Sequence, residues 1–236
     1  MKHFHTLSSS LKAQARNMLL GNLGTAVWSC FLHSIISIVL TQLAAGSYFG
    51  SGLAALMLSE LLLWLVMVFV GIIRYGLCAV FMNLYFMQPV SGSDLFLGLR
   101  ENTNELIKVN AFLSAVRILI MLPANFALAA GGRGALAWTA VLYVAALAAD
   151  MFLNLLYGLS LYLLLDYPQL SARGCLQRSR RLMQSHMLEL LYMELSFLPL
   201  YLLGFLSMGV ATLWVNAYKN ALITSFYIHV LKAHEQ

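Results

Sequence analysis

The chain has 236 residues, of which 61% are hydrophobic and 10% charged, with a formal net charge of +5. Soluble domains carry about 25% charged and about 45–50% apolar residues, so this composition, with a mean hydropathy of +0.81, excludes an ordinary soluble protein. It points to one integral membrane domain over residues 1–236, with no room for a large soluble domain beside it.

The first segment, MKHFHTLSSSLKAQARNMLLGN, is polar and lacks a compact apolar core followed by a small-residue cleavage site, so no removable signal peptide is expected. At 100° per residue, Leu7, Leu11, Ala15 and Met18 share a face opposite Lys12 and Arg16, the pattern of a helix lying on a membrane surface. Crossing a bilayer takes about 20 mostly apolar residues. Six stretches qualify: residues 22–44, 53–86, 107–130, 136–165, 187–212 and 214–232. Between the second and third, Leu95, Leu99, Thr103 and Leu106 form an apolar face opposite Arg100 and Glu101. Asp166-Tyr167-Pro168 ends the fourth span, and Ser171 is placed to cap a third surface helix. In that helix Ala172, Cys175, Leu176, Ser179, Leu182, Met183 and Met187 share one face. Arg173, Arg178, Arg180 and Arg181 lie on the other, toward lipid phosphates. The three surface helices align in phase, which is consistent with a threefold repeat of surface helix, span and span. The expected fold is an all-α polytopic bundle of six transmembrane helices and three cytoplasmic interfacial helices.

Ionisable residues inside a span cost at least about 2.5–3.5 kcal/mol each, so they usually pair or line a cavity. Arg117 lies 16 residues before Arg133 and Asp150 lies 17 after it. A helical hairpin turning near Arg133 brings them to one depth, about 24 Å from the turn, which predicts an Arg117–Asp150 pair. Arg74 is the expected partner of Glu194, Glu60 and His33 are expected to meet, and Glu189 is expected to reach the interface or nearby arginines. Pro123 and Pro199 are expected to kink the third and fifth spans. Gly71, Gly76, Gly204 and Gly209 permit close helix packing.

The stretch from Leu163 to Tyr227 resembles a bacterial integral membrane family, domain of unknown function 975. The resemblance rests on Asp166-x-Pro168, Ser179-Arg180, Met183, Leu195-Ser196-Phe197, Gly209, Leu213-Trp214, Tyr218 and Phe226-Tyr227. SLKAQARNMLLGN near the start and SDLFLGL in the middle add to it. The chain departs from the family's usual pattern at Ser185, Ala217 and Ala124. The resemblance implies a multi-pass protein of the bacterial plasma membrane and supplies no activity.

No HExxH, GxSxG, P-loop or CxxC occurs. Cys30, Cys78 and Cys175 are isolated and read as free thiols. The expectation is a non-enzyme without cofactor or metal, and without a nucleic-acid partner. The expected function is a scaffold or accessory subunit that binds anionic headgroups at the cytoplasmic face, or a membrane protein. The alternative is a transporter or lipid-handling carrier that uses the charged residues within the spans. A cavity lined by Arg74, Arg117, Asp150 and Glu194 favours the carrier, and a closed bundle with those residues paired favours the scaffold.

Charge orients the chain. With both termini inside, the cytoplasmic segments hold Lys2, Lys12, Arg16, Arg100, Lys108, Arg173, Arg178, Arg180, Arg181 and Lys232, most of the 14 basic residues. This follows the positive-inside rule. Cysteines placed at positions 48 and 133 should react with an impermeant thiol reagent on intact cells, and cysteines at 92 and 175 only after permeabilisation. Reaction of the second pair on intact cells would reverse the orientation.

Overall fold

The computed structural model of the chain describes residues 2–46, 52–101, 103–130 and 135–235. The elements are α1 (Lys2–Leu19), α2 (Leu23–Ala45), α3 (Leu53–Tyr85), a 3-10 helix (Gly92–Leu99), α4 (Thr103–Ala130), α5 (Ala135–Tyr157), α6 (Ser160–Asp166), α7 (Ala172–Leu195), α8 (Leu198–Leu206) and α9 (Val210–Glu235). No strand occurs among the described residues. Helix is the expected answer to this composition, because an apolar chain in hydrocarbon must satisfy its backbone hydrogen bonds within the segment.

Five stretches are long and apolar enough to cross a membrane: Leu23–Ala45, Met57–Tyr85, Thr103–Leu128, Ala137–Asp166 and Ala172–Leu206. The sixth expected span, 214–232, falls inside α9, which at 26 residues is about 39 Å long. Length is not its limitation. Asn216, Lys219 and Asn220 in its middle, with Lys232, His234 and Glu235 at its end, keep it below the apolarity of the other five. The fifth expected span, 187–212, is displaced toward the N-terminus, to Ala172–Leu206. The chain breaks at Ser196–Phe197, and Pro199 enters the first turn of the short α8, where its missing N–H leaves no bond unmade. α8 then turns at Met208 and Gly209, both at positive φ, so Gly209 serves the turn and not helix packing. Pro123, in contrast, lies within an unbroken α4. The fourth span divides at Gly158 into α5 and α6.

The three surface helices do not recur as three like units. α1 stands alone, but the second is a 3-10 helix followed by a separate α4, and the third is the first half of the continuous α7. Their apolar faces are covered by the protein itself. Leu11 and Ala15 of α1, Leu95 of the 3-10 helix, and Cys175, Ser179, Leu182 and Met183 of α7 are all buried. α1 packs on α9, the 3-10 helix on α3, and α7 on α5 and α6. Each is amphipathic, but its greasy side faces protein. With Cys175 buried and its thiol donating to the Ser160 carbonyl at 3.0 Å, the exposed Arg173 is the better labelling position for the side expected to be cytoplasmic.

α3 is the hub. Its second half, Ile72 to Leu84, lies in one apolar core with Leu95, Leu106, Leu163, Met183 and Phe226. The 3-10 helix reaches α3 through two glycines. A Cβ on Gly76 would lie 1.9 Å from the Leu95 carbonyl oxygen, and one on Gly98 would lie 2.7 Å from that of Ile72. Asp94 holds the start of the 3-10 helix, its Oδ2 accepting from the Ser91 N–H at 2.9 Å. Gly76→Ala should therefore cost at least about 1–3 kcal/mol through overpacking. Gly92→Ala, where a Cβ meets nothing within 4 Å, should change stability by less than about 0.5 kcal/mol. Thermal unfolding of the two variants in detergent measures the difference.

Candidate functional site

Three helices present one face each to a common space, polar on α2 and α4 and apolar but for Arg74 on α3. On α3, Met67, Val70, Gly71 and Arg74 share one face by the i, i+3, i+4, i+7 spacing. On α2, His33, Ser37 and Thr41 follow at intervals of four, and on α4 Asn110, Ser114 and Arg117 occupy the matching positions. With Asn154 and Tyr157 of α5 and Ser160 of α6, they enclose a cavity of about 320 Å³. Gly71 is required where it stands: a Cβ there would lie 2.4 Å from the Asn110 side chain.

Depth follows from the helical rise. Arg74 is 11 residues from the end of α3, Ser114 is 11 from the start of α4 and His33 is 10 from the start of α2. At 1.5 Å per residue each lies about 15–17 Å along its helix, close to half of a hydrocarbon core about 30 Å thick.

The cavity is electrostatically unbalanced. Among the described residues the ion pairs are Lys108–Glu105, Arg117–Asp150, His186–Glu189 and Lys219–Glu194. Arg74 belongs to none of them, and it is exposed although the residues on either side of it on α3 are buried. His33 Nε2, Ser37 Oγ and Asn110 Nδ2 are buried without a hydrogen-bond partner, and all three residues line this space. No carboxylate lines it.

A second cavity of about 290 Å³ shares Arg74, Asn154 and Gly158 with the first and adds Asp150, Glu194, Lys219 and Asn220. Asp150 links the two spaces to α4. Arg117 Nε lies 2.9 Å from Asp150 Oδ1. This contact is one of charge, since that oxygen takes no hydrogen bond. Asn154, one turn from Asp150, accepts from Arg117 Nη2 at 2.5 Å and donates to Asp150 Oδ2 at 3.1 Å. The Arg117–Asp150 contact is the one expected from the hairpin; its turn residue, Arg133, lies outside the described residues.

The other expected pairs are corrected. Glu194 is bound by Lys219 of α9 at 3.1 Å, not by Arg74. α9 folds back along α7 through the α8 turn and delivers a nearer cation. Glu60 accepts from Asn125 Nδ2 at 2.8 Å, and Asn125 Oδ1 accepts from the Tyr143 hydroxyl, so Glu60 is satisfied without His33. Glu189 meets His186 at 2.9 Å, one turn away. The four arginines of α7 divide. Arg178 and Arg181 line a surface pocket of about 340 Å³ with Gln177 and His234, and the Arg178 guanidinium sits 4.1 Å from the Tyr167 ring centroid. Arg173 and Arg180 are exposed outside that pocket.

Sequence reasoning missed Asn154, Lys219, Asn125 and Asn110 as site residues. Asn154 had a local signal, lying four residues after Asp150, and Asn110 had one four residues before Ser114. Lys219 and Asn125 had none, because their partners are remote in the chain. The Arg117–Asp150 pair is about one-third exposed, so its loss should fall below the 3–5 kcal/mol of a fully buried pair. Asp150→Ala should lower the melting temperature in detergent more than the Arg117→Ala/Asp150→Ala double variant does, because the single change strands a cation. Strictly additive losses would deny the coupling.

The family model for DUF975, described as a protein of unknown function, matches residues 1–234. No curated protein and no solved structure matches the chain. The match runs over nearly the whole chain, from α1 through α9, and so takes in the helices that form both cavities: the chain belongs to the DUF975 family.

Proposed function

We propose that this protein is a non-enzymatic carrier of the bacterial plasma membrane, with both termini cytoplasmic and α9 completing a sixth crossing, that holds an anionic group in the cavity at mid-depth. The observation that carries the proposal is Arg74, a guanidinium at the middle of the most apolar span, which makes no ion pair among the described residues although Asp150 and Glu194, each held by another cation, line the adjoining cavity, and which lines a first cavity that has no carboxylate. An unmatched charge there costs at least about 2.5–3.5 kcal/mol by insertion scales. A bound anion offsets that cost, and the polar groups of His33, Ser37 and Asn110 that lack a protein partner can hydrogen-bond to it, which an apolar filler would not do. A scaffold needs neither the cavity nor the unmatched cation. Lys219 can cross with α9 because Glu194 neutralises it. The Arg178, Arg181 and His234 pocket would hold anionic headgroups at the cytoplasmic surface, each basic residue near the surface contributing about 1 kcal/mol.

Purified protein in a neutral maltoside detergent tests this. Added dioctanoyl phosphatidylglycerol should raise the melting temperature, since a ligand that binds only the folded state stabilises it by mass action. Arg74→Gln should remove most of the rise, and Arg178→Gln/Arg181→Gln should remove a smaller, separate part. An Arg74→Gln protein that responds like the wild type would refute the cavity as the anion site.

A further inference from the structure

The shape of the cavity says how its ligand arrives. α2 and α4 both pack on α3, on opposite sides of the face that carries Val70, Gly71 and Arg74, and they form no extended contact with each other. α3 is the floor of a cleft and the other two helices are its walls. The α5–α6 junction, through Asn154, Tyr157 and Ser160, closes one end. The polar wall residues Ser37 and Ser114 lie in the middle of their helices, Ser114 at the depth of Arg74 and Ser37 about one turn beyond it, and not at a helix end where an aqueous vestibule would begin. The backs of the two walls are apolar and exposed, with Ile38 and Val39 on α2 and Phe112 on α4, as helix faces turned to lipid should be. With lipid on the outer faces of both walls and no extended contact joining α2 to α4, a gap between them at mid-span faces hydrocarbon.

We infer that the ligand is an anionic phospholipid that enters sideways from the bilayer through the α2–α4 cleft, its phosphate at Arg74 and its acyl chains left among the lipid-facing side chains of the two walls. This rests on the reading of Arg74 as an anion site and adds the class of ligand and its route. A free anion would have to cross hydrocarbon to reach the same guanidinium, whereas a lipid headgroup needs only to slide below its own leaflet along a polar groove. Polar groups without a protein partner, on His33, Ser37 and Asn110, line the cleft from both walls. The volume of about 320 Å³ suits a headgroup and not a whole lipid, which fits tails that remain outside.

The test compares a lipid with its own headgroup and plugs the mouth. Wild-type protein in maltoside is melted with dioctanoyl phosphatidylglycerol, with glycerol 3-phosphate and with inorganic phosphate. The phospholipid retained per chain is counted by native mass spectrometry. The lipid should raise the melting temperature by about 5–10 °C at a hundredfold excess over its Kd, and the two soluble anions by much less. Ser37→Trp, on the wall facing the cleft, should lower lipid retention severalfold, while Ile38→Trp, on the outer face of the same helix, should leave it unchanged. Two outcomes would overturn lateral entry while leaving the Arg74 site standing: soluble anions that stabilise as well as the lipid, with Arg74→Gln abolishing both effects, or equal retention by the two tryptophan variants. If Arg74→Gln changes no response at all, the anion site itself falls. Should Ser37→Trp fail to fold, Ser37→Leu, which removes the hydroxyl with less added bulk, gives the same comparison against Ile38→Leu.

Discussion

Charge matching within a low-dielectric bundle is the constraint on which this structure depends. A helix in hydrocarbon satisfies its own backbone, but each ionisable side chain it carries must find a partner on another helix or a place beside a cavity. Arg117 and Asp150 tie α4 to α5, with Asn154 bonded to both. Lys219 and Glu194 tie α9 to α7, and Asn125 ties Glu60 of α3 to Tyr143 of α5 through α4. These contacts decide which helices are neighbours in the part of the bundle where apolar side chains gain little from one another, lipid being as apolar as leucine.

The other half of the molecule is held differently. Toward the Tyr85 end of α3, large side chains such as Tyr75, Phe81, Phe197, Phe226 and Tyr227 are fully buried, and Tyr162 stacks on Tyr227 with ring centroids 5.3 Å apart. The Tyr227 hydroxyl donates to Asp166, and the Tyr162 hydroxyl shares a hydrogen bond with Thr224. α1, the 3-10 helix and the first half of α7 gather there and cover the core with their amphipathic faces. Toward the far ends of the spans, by contrast, Leu43, Leu61, Leu128, Val141 and Phe205 are exposed, as lipid-facing residues should be. A tightly packed base thus carries more loosely packed spans, and the cleft between α2 and α4 lies in the looser part.

Arg74 stands at the junction of these two regimes. Below it α3 is buried on all sides, and above it α3 faces the cleft. Gly71 and Gly76 bracket it: the first admits Asn110 against the helix and the second admits the Leu95 backbone. The cation is thus set into the one stretch of α3 where neighbours come close to the backbone yet leave the guanidinium without a counter-ion.

Composition alone determined the membrane class and the all-helical fold, because 10% charged residues cannot clothe a soluble surface of this size. Apolar run length located α2, α3 and α4 to within a few residues. The Arg117–Asp150 contact was legible too, since a hairpin equalises depth by simple counting, and Ser171 was legible as the α7 cap because its signal is local. What the sequence did not determine was every contact between elements distant in the chain. An amphipathic face is the same pattern whether lipid or protein covers it, so the fate of α1, the 3-10 helix and α7 was open until Leu11, Leu95 and Met183 met the α3 core. Glu194 found Lys219 because the turn at Met208 and Gly209 folds α9 back along α7, a geometry carried by two positive φ angles that no periodicity records. The cleft and the unmatched Arg74 followed from the same cause: a charge is known to be unpaired only when the position of every other charge is known.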